Sequence, residues 1–277
     1  MLEAVTNFSW LSSGDRILLK MALNSANEFP ATTDPWSLAC MIDLLKEKGC
    51  GEILVGDHSG IYQPNSTRTC FQQTGLMDVI NEKGATAVCF NEASAGGHMS
   101  VTAANWSRNI NITNVVNQVD HIIYMPRVAT HSLADKTFGL KLAVGFLNPE
   151  SRQLMHSGNI NNLFNSINDV VEIKNKFRLS VFSARKLMTT GGPDSGTIVE
   201  PDHGLIFASE DLLAADLMAG AFLEVNRGTD NDIYCHDPLQ SYVQRNGNIE
   251  ALLWNTLNEN PDNSITDKMI NVLQKVA

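Results

Sequence analysis

Glu52-Ile53-Leu54-Val55-Gly56 followed by Asp57-His58-Ser59-Gly60 is the stretch on which the fold turns. A short, nearly unbroken apolar run ends in a polar tetrad, as in a strand buried on both faces that runs into a functional connection. Upstream, Asp34-Pro35 opens a helix, with Asp34 as N-cap and Pro35 at the first helical position. Leu38, Met41, Ile42 and Leu45 repeat at helical spacing, and Gly49 stops it. Before that, Arg16-Ile17-Leu18-Leu19-Lys20 reads as a strand after the turn Ser13-Gly14-Asp15.

Downstream the alternation continues. A helix is expected from Cys70 to Glu82, then strands at 85–90, 121–125, 178–183 and 205–209, with helices near 161–173, 210–226, 249–258 and 265–276. Strands alternating with helices of about 10–15 residues indicate an α/β fold. The expectation is a mostly parallel sheet with helices on both faces and a helical C-terminal tail. Residues 1–228 form the α/β domain, and a polar segment leads into the tail at 229–277.

Composition narrows the function classes. The 277 residues are 43% apolar, enough for a sizeable core, and the net charge of −10 argues against a nucleic-acid backbone as partner. The five cysteines are scattered with no Cys-x-x-Cys pair, the pattern of reduced intracellular thiols rather than disulfides or an iron–sulfur cluster. Residues 1–20 lack a signal-peptide pattern, and no apolar run reaches the roughly 18–20 residues of a membrane span. A cytoplasmic protein that binds neither nucleic acid nor membrane is the expectation.

In an open parallel sheet, ligands bind beyond the strand carboxyl ends. Three connections there carry unusual chemistry: 57–60, 130–156 and 189–196. In the second, Lys141 lies ten positions after His131 and fifteen before His156. Histidine exchanges protons near neutral pH or ligates a borderline metal, and a lysine in a dry pocket becomes a nucleophile. The same residues also admit plain structural roles. His131 could bond a carbonyl or pair with Asp135 over a helical turn, and Lys141 could be a surface helical lysine. His156 could be an exposed turn residue, and Asp57-His58 could cap a helix. Gly191-Gly192-Pro193 reads as a tight turn, or as an N–H nest for an anion with Asp194 or Ser195 beside it.

Six segments occur in order: Pro-Ala-Thr-Thr-Asp-Pro (30–35), Val-Gly-Asp-His-Ser-Gly (55–60), Met-Pro-Arg with Thr-His (125–131), Lys-Thr-Phe-Gly-Leu-Lys (136–141), Gly-Gly-Pro-Asp-Ser-Gly (191–196) and Ala-Ser-Glu-Asp-Leu-Leu-Ala-Ala-Asp (208–216). Together they resemble the domain-of-unknown-function 362 family over roughly residues 14–225. Many members of that family carry a ferredoxin-like cluster module, so the resemblance admits an iron–sulfur partner protein. A more distant similarity is to the nickel-pincer lactate racemase superfamily, where a lysine anchors a nicotinate-derived pincer nucleotide and a histidine ligates nickel. That similarity implies Lys141 as anchor, His156 as nickel ligand, and His131 and His58 as acid/base groups. Asp57, Gly191, Gly192 and Ser195 are the remaining cofactor-binding candidates. Where the racemases have a Gly-Gly stretch before the lysine, this chain has Thr137-Phe138-Gly139-Leu140. Three function classes follow: an enzyme, a racemase or epimerase type among them, acting on a small anionic substrate; a non-catalytic partner of an iron–sulfur redox protein; and a small-molecule sensor.

Overall fold

The apolar runs pair with one another because each would otherwise leave a row of backbone groups unsatisfied in the core. The computed structural model describes residues 2–228, apart from 63, 159 and 203, together with Met269. Strand β1 (Ile17–Met21) pairs in parallel with β2 (Ile53–Asp57), and β2 with β3 (Thr86–Cys89). A separate antiparallel hairpin, β4 (His98–Val101) and β5 (Ile110–Thr113), forms a two-stranded sheet of its own. The main chain then returns as β6 (His121–Met125), β7 (Arg127–His131) and β8 (Asp135–Thr137), followed later by β9 (Phe177–Met188), β10 (Ile198–Val199) and β11 (Leu205–Ser209). The sheet order is β3-β2-β1-β6-β9-β7-β8, with β10 and β11 also on β9. Every link from β3 to β7 is parallel; β8, β10 and β11 pair antiparallel.

Side-chain alternation assigns the helices to two layers. Ile17, Leu19, Met21, Ile53 and Val55 join a core with α1 (Pro35–Glu47), α2 (Thr67–Gln73) and α3 (Leu76–Glu82). Leu18, Leu54, Ile122 and Tyr124 face the other way. They meet α4 (Gly139–Leu142), α5 (Pro149–His156), α6 (Ile160–Ile167), α7 (Val171–Lys174) and α8 (Leu212–Arg227). The fold is therefore α/β, a mostly parallel sheet with helices on both faces. No helix among the described residues is long and apolar enough to cross a membrane.

Several boundaries differ from the sequence reading. The helix expected from Cys70 to Glu82 is two, because Gly75 takes φ 75, a left-handed conformation that ends one helix and starts the next. The helix expected at 161–173 is likewise divided into α6 and α7, and the strand at 178–183 runs on to Met188. Segment 130–156 is not one connection. Pro126 interrupts the apolar run, and the chain continues as the β7–β8 hairpin before α4 and α5. The helices expected at 249–258 and 265–276, and the proposed 229–277 unit, lie outside the described residues except for Met269, which is helical and buried.

Candidate functional site

Lys20 occupies the face of β1 that also carries Leu18, so its ammonium enters the interior beneath the strand carboxyl ends. A fully buried charge there needs a counter-ion. Asp57, at the end of β2, supplies it: Lys20 Nζ lies 2.7 Å from Asp57 Oδ1 and also donates to the Met21 carbonyl. The remaining capacity of Asp57 is taken by the backbone N–H groups of Leu23 and His58. Gly145 packs so closely on the pair that a Cβ would collide with Asp57 Oδ1 and Lys20 Nζ.

His58 follows directly. Its Nδ1 lies 3.2 Å from the Leu147 carbonyl, which can only accept, so Nδ1 carries the hydrogen and Nε2 presents a lone pair. Burial, then the charge of Arg152, brings its pKa down to about 4. Arg152, on α5, donates to the carbonyls of Ser59, His58 and Gly145, joining the loop after β2 to the segment after α4. Its Nε is buried without a partner among the described residues.

His131 ends β7. Its Nδ1 accepts from the backbone N–H groups of Leu133 and Ala134, which leaves the ring hydrogen on Nε2. Burial, then Lys141 and Arg127, depresses it to about 2. His131 is thus a neutral imidazole whose hydrogen sits on Nε2. It faces Asp135 across the hairpin register, in place of the helical-turn pair that the four-residue spacing suggests. A neutral imidazole of this kind suits polarisation of a substrate oxygen.

Lys141 sits on α4, whose first amides are held by a neighbour. Asp216 of α8 accepts from Gly139 N–H (2.8 Å) and Leu140 N–H (2.9 Å). Burial, then Arg127 and Arg152, brings the Lys141 amine down to about 7. Although partly buried, its Nζ has no hydrogen bond or ion pair among the described residues. It is not the surface lysine that helical spacing allows. His156, the last residue of α5, is exposed, with its ring 6.0 Å from that of Tyr62. Partial burial, then Lys141 and Arg152, lowers its basicity.

The third loop closes on itself. Gly192 N–H donates to the Ser195 carbonyl at 2.7 Å, and Gly191 and Gly192 both take positive φ. The Gly192 amide is thereby committed and unavailable to an N–H nest, and Ser195 is exposed. What the turn presents instead is Asp194, whose Oδ1 accepts from Asn24 and whose carbonyl accepts from Asn27. Arg127 secures the turn by donating Nη1 to the carbonyls of Pro193 (2.6 Å) and Ala31.

The electrostatics link these groups. Lys141 feels Arg127, Arg152, Asp194 and Asp57, and His131 feels Lys141, Arg127 and His156. Lys20, Arg127, Arg152, Asn24 and Asp216 were not legible as site residues. A lysine between Leu19 and Met21 in an apolar strand was the available signal for Lys20, and the Met-Pro-Arg segment for Arg127. Among the described residues, no three His, Cys, Asp or Glu groups are gathered as a metal cage.

The sequence profile named Domain of unknown function (DUF362) matches residues 17–221. No curated protein matches the chain. Among solved structures, the chain is similar to the lactate racemase apoprotein from Thermoanaerobacterium thermosaccharolyticum, at 10% identity and a TM-score of 0.45. That alignment covers 76% of this chain and 49% of the racemase, so the chain spans about half its length.

Proposed function

The chain belongs to the domain-of-unknown-function 362 family, and from that premise we propose that its cleft is the active site of an enzyme acting on a small anionic substrate, of the racemase or epimerase type. The observation that carries this reading is Lys141, an enclosed amine near pKa 7 that no carboxylate neutralises among the described residues. A structural lysine in such surroundings is paired; an unpaired one near neutrality is suited to nucleophilic or proton chemistry.

The two buried imidazoles have complementary hydrogen positions. His58 Nε2 can accept a proton from the substrate, while His131 Nε2–H can donate a hydrogen bond to a substrate oxygen on which negative charge develops. The pairing is asymmetric: with both Nδ1 contacts retained, His58 is the acceptor and His131 the donor. The enclosure that depresses both also keeps water from competing for those atoms.

A nickel-pincer type of cofactor fits the residues present in one respect. Lys141 Nζ, with no hydrogen bond or ion pair among the described residues, is open to covalent attachment. Lys141 Nζ would hold that group covalently, and His156 would supply the protein ligand. Bound, such a cofactor would supply a reversible electron or hydride acceptor.

Protein purified from its native host decides the matter by intact mass under denaturing conditions, metal analysis and chiral chromatography of small 2-hydroxy acids. The expected result is a mass excess absent from Lys141→Ala, together with enantiomer interconversion lost in Lys141→Ala and reduced at least 100-fold in His58→Asn. An unmodified, metal-free chain overturns the cofactor assignment, and no interconversion of any acid by the native protein overturns the racemase reading.

A further inference from the structure

Among the described residues, the charges gathered at the ends of β1, β2 and β6 do not balance. Lys20, Arg127 and Arg152 are buried cations there, and the partly buried Lys141 adds a fourth positive charge when protonated. The carboxylates acting on them are Asp57 and Asp194. Asp57 is committed to Lys20 by direct contact, and Asp194 is held by Asn24. Neither arginine forms an ion pair among the described residues, although they are only 3% and 4% exposed. Their bonds go to neutral carbonyls: Arg127 to Ala31 and Pro193, Arg152 to Ser59, His58 and Gly145.

Burying a guanidinium against carbonyls alone is costly, and a protein keeps such a charge where something else neutralises it. Burial draws both arginines down to about 10; Asp194 and Asp57 partly offset this at Arg127, and Asp57 alone does so at Arg152. Arg127 also has donors to spare. Its bonds use Nη1 alone, and Nε and Nη2 are neither bonded nor sealed off among the described residues. Lys141 Nζ is likewise free among the described residues. These donors lie in one electrostatic cluster, because Arg127 is the largest charge influence on Lys141 after burial itself.

We infer that the cleft, with Lys141 unmodified, is built for a compact dianion, whose second negative charge is received by the unused edge of Arg127 together with Lys141, over the buried charge of Arg152. A monoanion would leave the cluster positive when Lys141 is protonated; a dianion neutralises it. A dicarboxylate and a phosphate monoester share the chemistry. This inference rests on reading the cleft as a ligand site, but not on turnover.

Calorimetry on the full chain, as purified, with malonate, succinate, inorganic phosphate, acetate and lactate as probes, tests it. Dianions are expected to bind at least tenfold more tightly than acetate or lactate. The tighter of phosphate and the dicarboxylates identifies the class. Arg127→Gln is expected to lose at least tenfold in dianion affinity, Arg127→Lys to recover only the part that comes from charge alone, and the surface variant Lys186→Gln to match the parent. Equal binding of monoanions and dianions by the parent chain overturns the inference, and that comparison stands even if Arg127→Gln fails to fold. So does unchanged dianion affinity in a folded Arg127→Gln. Dianion binding without enantiomer interconversion leaves this inference standing and removes the racemase reading; interconversion of monoanionic acids without dianion preference does the reverse.

Discussion

At Lys141 the protein changes what a lysine ordinarily does. Free lysine amines ionise near 10.4, so roughly one in 10³ is nucleophilic at neutral pH. Enclosure and two nearby guanidinium groups bring this one to about 7, so about half is neutral there. Competitive acetylation read by peptide mass spectrometry should show Lys141 labelling with a midpoint near pH 7, apart from the bulk of the chain's lysines. Labelling of Lys141 with the bulk would sink the idea. Little of this was legible in the sequence. The ten- and fifteen-residue spacings around Lys141 mark it as a candidate, but its basicity depends on Arg127 and Arg152, fourteen positions before it and eleven after. Lys20 is the converse case: a lysine embedded in an apolar strand signals a buried charge, yet nothing in the chain order names Asp57 as its partner.

The element that matters most is also among the shortest. Helix α4 has four residues, too few to persist by its own hydrogen bonds. Asp216 supplies what is missing by accepting from both leading amides, and its carboxyl is pushed up to about 8, chiefly by burial. Asp216→Ala would leave two buried N–H groups unsatisfied and should cost about 2–4 kcal/mol, read as a shifted denaturation midpoint. In the same variant the low Lys141 labelling midpoint should drift upward, because the lysine is no longer held in its enclosure. An Asp216→Ala chain as stable as the parent would remove this account. The sequence places Asp216 on a helix after the last strand, but not against Gly139, 77 positions away. The β7–β8 hairpin was obscured for a different reason. Residues four apart, such as His131 and Asp135, meet on a helical turn or across a tight hairpin, and spacing alone does not separate the two.

For the molecule as a whole, the buried titratable groups set how stability follows pH. His58 and His131 have folded values of about 4 and about 2, below the ordinary 6.5, so the unfolded chain binds more protons than the native one as pH falls from 6.5. Their contribution to stability is present above 6.5 and is lost on acidification, by at most about 3 kcal/mol for His58 at pH 4. Asp216 acts oppositely, since its raised value makes the native state the better proton binder between about 4 and 8. Two histidines against one aspartate leave a net loss of stability on acidification from 6.5 to 4. Denaturant titrations across that range should show it, and the double variant His58→Asn/His131→Asn should flatten or reverse the slope. A wild-type stability that rises toward pH 4 would contradict the assignment.

What the sequence determined by itself is the architecture. Short apolar strands separated by amphipathic helices have one economical arrangement, a parallel sheet covered on both faces, because their backbone and apolar groups are satisfied together in that arrangement. The order of segments was enough to indicate the family and to nominate His58, His131, Lys141 and His156. Only the tertiary structure decided that Lys20 is paired, that Arg127 and Arg152 meet no carboxylate among the described residues, that Asp216 holds the helix of Lys141, and that the Gly192 amide is spent within its own turn. The physical reason is that the energy of a charge or a hydrogen bond depends on burial and on distances of a few ångströms. Chain order does not specify such distances between residues that meet only when the strands have assembled.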